Sequence, residues 1–135
     1  MKFFALALLS LGFTAPAHAE KITCTFTEPF ISTVIDTQKN TVSETWERTQ
    51  SFRVLKKSEK RGAITLSYGR IGGERHVITY KRDWKGSDGM SDLVYPFSAT
   101  RDKNLFGGCQ TEKEKALNPN ADGYGYGYGY ESEEN

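Results

Sequence analysis

The chain has 135 residues, of which 18 are lysine or arginine and 17 are aspartate or glutamate, and its formal net charge is +1. This balance gives no electrostatic argument for binding nucleic acid or an anionic membrane surface. The length fits a single domain with its own core, although a domain of this size gains from a covalent cross-link.

The N-terminal residues 1–19 have the features of an export signal. Lys2 precedes an apolar run at 3–13, and Ala17-His18-Ala19 supplies a small-residue cleavage site. The run is too short to span a bilayer. The sequence therefore predicts a signal peptide and a mature chain that starts at Glu20, with a retained membrane anchor as the alternative. We expect an exported protein, periplasmic or secreted, that is not an integral membrane protein.

Between residues 20 and 111, apolar and polar residues alternate in short runs, which is the period of half-buried strands. The runs cover 21–27, 30–37, 41–48, 51–57, 64–68, 77–80, 93–100 and 105–110. About eight strands at intervals of roughly 8–12 residues are typical of an all-β domain. The sequence predicts a small antiparallel β-barrel in which consecutive strands are neighbours, with a β-sandwich as the alternative.

The two cysteines, Cys24 and Cys109, lie near opposite ends of the predicted domain. Export places them in an oxidising compartment, where an even pair predicts a disulfide; two free thiols are the alternative. A bond that closes a loop of roughly 85 residues contributes on the order of 4 kcal/mol in the chain-entropy model. Only His76 is left as an imidazole after cleavage, so we do not expect the cysteine pair to bind a metal ion. No metal site and no cofactor are predicted.

The densest polar pattern lies between Trp84 and Tyr95. Asp88-Gly89 is a turn signal, because aspartate bonds its own backbone and glycine permits a positive φ. The predicted structural or binding loop comprises Trp84, Ser87, Asp88, Gly89, Met90, Ser91, Asp92 and Tyr95. Its acids either cap the turn or, with Asp83, bind Ca²⁺. The spacing is not that of an EF-hand, which favours capping.

Catalytic arrangements find little support. A triad built from Ser87 or Ser91 with His76 lacks the G-x-S-x-G elbow. No spacing singles out a pair of carboxylates for glycoside hydrolysis. We interpret Glu28 as a buried acid that joins the first strand to the Asp88 loop. No catalytic residue is predicted, and core packing is favoured over a binding groove for Trp46, Trp84 and Tyr95.

The composition changes from residue 112 onward. Four Gly-Tyr pairs at 123–130 precede an acidic end at 131–135. Glycine at every second position raises the entropy of ordering, so the segment 112–135 is predicted to be disordered. Its tyrosines, Tyr124, Tyr126, Tyr128 and Tyr130, are interpreted as contacts for sugar rings or another chain, with an inert tail as the alternative.

Four motifs occur in order along the domain: Thr27-Glu28-Pro29-Phe30, Ser87-Asp88-Gly89-Met90-Ser91-Asp92, Tyr95-Pro96-Phe97 and Gly108-Cys109. They resemble a poorly characterised family of bacterial exported proteins and lipoproteins. That family usually has Trp where this chain has Ile31, and Cys where it has Gly86. The resemblance implies a small barrel in the cell envelope, distantly similar to META-type and C-type-lysozyme-inhibitor barrels. Without the loop cysteine, it leaves Cys24 and Cys109 as each other's partner.

The sequence favours a non-catalytic, exported binding module of the cell envelope. Its expected partner is an envelope protein or a cell-wall glycan, and the module is expected to be a monomer that does not bind nucleic acid. A lipocalin-like carrier of a small apolar ligand is the first alternative, since barrels of this size can hold one ligand. A hydrolase of unrecognised type is the second.

Overall fold

The computed structural model describes residues 20–120 and shows eight antiparallel strands that close into a barrel. The strands are β1 (Lys21–Phe26), β2 (Ile31–Asp36), β3 (Thr41–Thr45), β4 (Thr49–Lys60), β5 (Ala63–Gly69), β6 (Arg75–Gly86), β7 (Tyr95–Arg101) and β8 (Leu105–Thr111). Each strand pairs with its neighbours in sequence, and β1 pairs with β8. The predicted barrel is confirmed, and the sandwich alternative is wrong.

The barrel closes where β1 meets β8, and a disulfide lies at this junction. Cys24 and Cys109 are direct partners in the pairing of the two strands. Their sulfur atoms are 2.01 Å apart and their Cα atoms 4.0 Å apart, which confirms the predicted bond. Both residues are fully buried. The covalent link therefore joins the first strand of the barrel to the last.

Alternating side chains fill the interior of the barrel. On β1, for example, Cys24 and Phe26 point inward while the threonines between and beside them are less buried. The largest fully buried side chains include Phe26, Ile35, Tyr68 and Ile78. A barrel of eight strands is just wide enough for side chains to occupy its interior. The alternation seen in the sequence thus produces a packed core.

Two of the predicted strand boundaries are wrong, and each of them misplaces a tryptophan. β6 has 12 residues and continues to Gly86 across a register shift between Arg82 and Gly86. Trp84 therefore belongs to a strand and not to the loop that follows it. β3 ends at Thr45, so Trp46 lies in the next turn. Trp46 is 61% exposed, and the expectation that it packs in the core is wrong.

The turns between strands divide into two groups, because consecutive antiparallel strands alternate in direction. The β1–β2, β3–β4, β5–β6 and β7–β8 turns lie together at one end of the barrel, which we call the four-turn end. The β2–β3 and β4–β5 turns lie at the opposite end. The connection from β6 to β7 also starts there, but it folds back over the outside of the barrel.

Beyond Thr111 the chain runs along this connection. Leu117 exchanges two backbone hydrogen bonds with Val94, of 2.8 and 2.9 Å, and Glu114 pairs with Arg82 at 2.8 Å. The segment 112–120, which the composition assigns to the tail, thus packs against the folded domain. The predicted signal peptide and Tyr124, Tyr126, Tyr128 and Tyr130 lie outside the described residues.

Candidate functional site

The connection between β6 and β7, residues 87–94, is organised by one carboxylate; we call it the latch loop. Asp88 is only 6% exposed. It accepts hydrogen bonds from the backbone amides of Met90 (2.9 Å) and Ser91 (2.7 Å). It also accepts bonds from the Ser91 hydroxyl (2.7 Å) and the Tyr95 hydroxyl (3.0 Å). Four donors around one carboxylate fix the conformation of the loop.

The ionisation of Asp88 reflects these contacts. Burial on its own would raise the pKa of this carboxyl, but the hydrogen bonds from Ser91, Met90 and Tyr95 outweigh it and lower the pKa to about 2. Both carboxylate oxygens already accept protein donors. This arrangement matches the capping interpretation of Asp88.

The other predicted calcium ligands do not gather around Asp88. Asp83 instead accepts the Ser98 hydroxyl at 2.6 Å, and Asp92 is exposed. Within residues 20–120 the side chains of histidine, cysteine and the acids form no group of three or more that could hold a metal ion. The described part of the chain therefore gives the calcium alternative no support.

Tyr95 anchors the end of the latch loop on the outside of the barrel. Its ring is buried and lies over Gly108 of β8. A Cβ atom at Gly108 would be 2.7 Å from Tyr95 Cβ, so a side chain there would displace the ring. The glycine of the Gly108-Cys109 motif thus makes room for the tyrosine of the Tyr95-Pro96-Phe97 motif.

Gly86 is a second glycine of this region whose position leaves no room for a side chain. A Cβ atom at Gly86 would meet the Phe97 carbonyl oxygen. The cysteine that the resembled family usually has at this position does not fit the backbone of this chain.

The latch loop also reaches the end of β1. Gly89 has a φ of +74°, and a Cβ atom there would be 2.7 Å from Thr27 Oγ1. The four motifs, which lie at 27–30, 87–92, 95–97 and 108–109 in the sequence, therefore meet on one side of the barrel. This convergence is the strongest indication of a site in the described residues.

A cleft of about 330 Å³ opens between the latch loop and the neighbouring turns; we call it the latch cleft. Its lining residues are Thr27, Glu28, Ser87, Gly89, Asn104, Leu105 and Phe106. Phe106 is 70% exposed and Met90 of the loop is 68% exposed. Phe30, in the same turn as Glu28, is also exposed. Large apolar side chains left in water beside a fixed loop are typical of an interaction surface.

Glu28 lines this cleft, but its side chain is not buried as predicted. It is exposed and lies in the β1–β2 turn with a φ of +58°. The expectation that Glu28 is a buried acid is wrong, because the β1–β2 turn leaves its side chain in solvent. The buried carboxylate of this region is that of Asp88. Among the remaining predicted loop residues, Ser87 is exposed in the cleft wall and Trp84 is half-buried on β6.

Sequence reasoning missed a buried ion pair inside the four-turn end. Arg101 of β7 donates to both carboxylate oxygens of Glu44 on β3, at 2.8 and 3.1 Å. The two side chains are only 12% and 8% exposed. Arg101 also donates to the Tyr68 hydroxyl at 3.3 Å. The alternation in the sequence contains a signal for this pair, because Glu44 and Arg101 both fall on inward-facing positions of their strands.

His76 belongs to the same polar group. Its Nδ1 lies 2.8 Å from Asp102 and its Nε2 lies 2.7 Å from Glu74. Burial opposes ionisation of Asp102, but the Val77 amide, His76 and Arg101 together lower the pKa of its carboxyl. Both ring nitrogens of His76 thus have acidic partners. Ser87 and Ser91 lie in the latch loop and not beside the imidazole, so the geometry does not form the triad considered above.

No protein-family model, curated protein or solved structure matches the chain. The family resemblance of the four motifs therefore stays a prediction.

Proposed function

We propose that this protein is an exported module of the cell envelope that binds a macromolecular partner through the latch cleft, without catalysis and as a monomer. We also propose that it belongs to the family its four motifs resemble. A buried disulfide between Cys24 and Cys109 is compatible with an oxidising compartment. Among residues 20–120 there is no helix with the length and apolar character needed to cross a membrane.

The main support for the proposal is that the latch loop is held in one conformation while large apolar side chains in it and beside it are exposed. The loop is fixed by Asp88 and by packing on Gly108 and Thr27. Met90 and Phe106 nevertheless stay exposed at its border. A surface that is ordered before binding loses little conformational entropy when a partner arrives. Exposed apolar side chains on such a surface supply binding energy.

The proposed partner is an envelope protein or a cell-wall glycan. The resemblance to C-type-lysozyme-inhibitor barrels favours a hydrolase of the cell wall as a protein partner. A glycan partner is favoured by the polar rim of the latch cleft, which includes Glu28, Ser87 and Asn104. Both partners would meet the same cleft, so one set of variants tests both.

The two other candidate functions receive less support from the geometry. A carrier needs a cavity inside the barrel, whereas Phe26, Tyr68 and Ile78 occupy the interior as fully buried side chains. A hydrolase needs an available acid or base. In the described residues the buried carboxylates, Glu44 and Asp88, already have strong hydrogen-bond partners.

The test compares the mature chain with the double variant Met90→Ser/Phe106→Ser. The control is Ile71→Ser, because Ile71 is an equally apolar, exposed residue of the β5–β6 turn outside the latch cleft. The probes are isolated peptidoglycan in a sedimentation assay and a C-type lysozyme in an inhibition assay. We expect the double variant to weaken binding of one probe by roughly 10-fold or more, since two exposed apolar contacts are removed. Equal binding by the double variant and the control would contradict the proposal.

A further inference from the structure

The outer face of β4, β5 and β6 carries a concentration of positive charge. Leu66, Tyr68 and Ile78 belong to the core, so the residues between them on β5 and β6, and their partners on β4, face outward. The cations on this outer face are Arg53, Lys56, Lys60, Arg75 and Lys81, and all five are exposed. The outward positions of the three strands in register with them carry no carboxylate.

Strand register arranges these cations in two rows. Arg53 of β4 and Arg75 of β6 both lie beside Gly69 of the central strand. At the other end of the same face, Lys60 and Lys81 both lie beside Ala63. Strand spacing places the rows about 10 Å apart, and the strand rise makes them about 20 Å long.

The floor between the two rows is made of small side chains. The outward residues of β5 are Ala63, Thr65, Ser67 and Gly69. The Thr65 hydroxyl lies 3.0 Å from that of Thr79 on β6. Long cationic side chains on β4 and β6 therefore border a shallow, hydroxyl-bearing groove along β5.

The acids nearest to this face are engaged elsewhere. Glu74 contacts His76, and Asp83 accepts the Ser98 hydroxyl. Glu59 pairs with Ile64 on the opposite face of the sheet. None of the five cations forms an ion pair with a residue in 20–120. Cations that share one face of a sheet repel each other, and a bound anion relieves this repulsion.

We propose that this face, which we call the basic groove, binds an extended anionic glycan whose acidic groups repeat along its length. Charge complementarity calls for a polyanion, and arginine and lysine both recognise carboxylate, sulfate and phosphate groups. The hydroxyls of Thr65, Ser67 and Thr79 suit the hydroxyls of sugars. The outward positions of the groove carry no aromatic side chain, whereas proteins that bind single-stranded nucleic acid stack bases on aromatic rings.

An adjoining cleft extends the basic groove toward β8. This cleft of about 440 Å³ shares Ala63, Thr79 and Lys81 with the groove and adds Lys85. Its far wall includes Phe106. A sugar unit at the end of the polymer can therefore leave the open groove and enter a concave site that still provides a cation.

The experiment measures binding of the full mature chain to heparin, polygalacturonate, neutral dextran and single-stranded DNA at 50 and 200 mM salt. Heparin supplies sulfate groups and polygalacturonate carboxylate groups, so the two distinguish the acidic group. For about five charge contacts, we expect affinity for the preferred glycan to fall on the order of 10²-fold between the two salt concentrations. Dextran is expected not to bind.

The variants are Arg53→Ser/Arg75→Ser and Lys60→Ser/Lys81→Ser, one pair at each end of the basic groove. We expect each pair to weaken glycan binding by roughly 10-fold and to lower the salt slope by about two. The matched control, Lys39→Ser/Lys103→Ser, removes the same charge from exposed positions in turns. It is expected to bind within about twofold of the unchanged chain.

Three results would overturn the proposal. They are no binding of either anionic glycan at 50 mM salt, an equal loss in the control, or tighter binding of DNA than of both glycans. The inference goes beyond the proposed function because it concerns a different face. Met90→Ser alone is expected to leave glycan affinity in the basic groove unchanged, because Met90 lines neither the groove nor the adjoining cleft, so either proposal can fail without the other.

Discussion

At the scale of single residues, Asp88 has the greatest influence on the candidate site. It accepts bonds from two backbone amides and two hydroxyls, and it connects the latch loop to Tyr95. Loss of its negative charge would weaken all four contacts, because charge-assisted hydrogen bonds are stronger than neutral ones.

We predict that Asp88→Asn lowers the free energy of unfolding by about 2 kcal/mol at pH 7, the usual cost of weakening hydrogen bonds to a buried charged group. The pKa of Asp88 in the folded protein, about 2, is below its value in an unfolded chain. The stability that its charge contributes is therefore present above about pH 4 and lost as the pH falls toward 2. Urea unfolding of both proteins across this range measures the effect.

The difference between the two proteins should shrink on acidification. Asp92→Asn is the control, because Asp92 lies in the same loop but is exposed. A difference at pH 2 as large as that at pH 7 would show that the Asp88 charge is not what stabilises the loop.

The role of Asp88 was predictable from the sequence, whereas that of Glu28 was not. Asp88 precedes a glycine within a run of short polar residues, and such local patterns set local hydrogen bonds. The sequence predicts an interior position for Glu28 because this residue lies beside Pro29 and phenylalanines. Whether a turn residue points inward depends on how the β1–β2 turn leaves the barrel, and no local pattern encodes that direction.

At the scale of elements, the Glu44–Arg101 pair connects β3 and β7 across the interior of the barrel. The charges have left water, so each depends on the other. Burial opposes ionisation of Arg101, but the hydrogen bond and the charge of Glu44 raise the pKa of its guanidinium.

We predict that Glu44→Gln destabilises the fold by about 3 kcal/mol, because it leaves a buried arginine without its main counter-charge. The combined change Glu44→Leu/Arg101→Met should recover most of this loss, since neither charge is then buried. Chemical denaturation of the single and combined variants gives the coupling free energy.

The exposed pair Arg82–Glu114 serves as the comparison. Removing Glu114 there should cost no more than about 1 kcal/mol. A similar cost at both pairs would argue against a structural role for the buried one.

Several features of the elements could not be derived from alternation alone. The pattern predicted eight strands because each half-buried strand has its own period of two. The sequence predicts a loop position for Trp84, whereas a register shift extends β6 past this residue. Leu117 pairs with Val94, and this contact joins positions that are distant in sequence and carry no strand pattern of their own.

At the scale of the whole molecule, the small net charge does not reveal that charged side chains are distributed unevenly over the surface. A formal charge of +1 gives no electrostatic argument for binding nucleic acid or an anionic membrane. The register of β4, β5 and β6 nevertheless gathers Arg53, Lys56, Lys60, Arg75 and Lys81 on one face. Charge asymmetry of this kind depends on strand pairing, which the order of residues alone does not provide.

The disulfide also acts at this scale, because it closes the whole domain. We predict that Cys24→Ala/Cys109→Ala lowers the free energy of unfolding by on the order of 4 kcal/mol, since the bond spans 85 positions in the chain. Urea midpoints of the variant and the unchanged protein measure the loss. Hydrogen exchange should rise first in β1 and β8, where the barrel is closed.

An unchanged midpoint in the variant would mean that strand pairing alone closes the barrel. Exchange that rose first in β4 and β5 instead would place the weakest junction elsewhere.

The closure between β1 and β8 has a further consequence for recognition. Every strand of the barrel has a paired neighbour on both sides. Over the stretches paired on both sides, a partner finds no free edge to which it could add a strand of its own, the route by which many extended peptides bind to sheets. The part of β4 beyond Val54, which pairs with β5 alone, is an exception. Recognition along the doubly paired stretches therefore depends on side chains, so substitutions at that surface can change partner choice while the backbone stays the same.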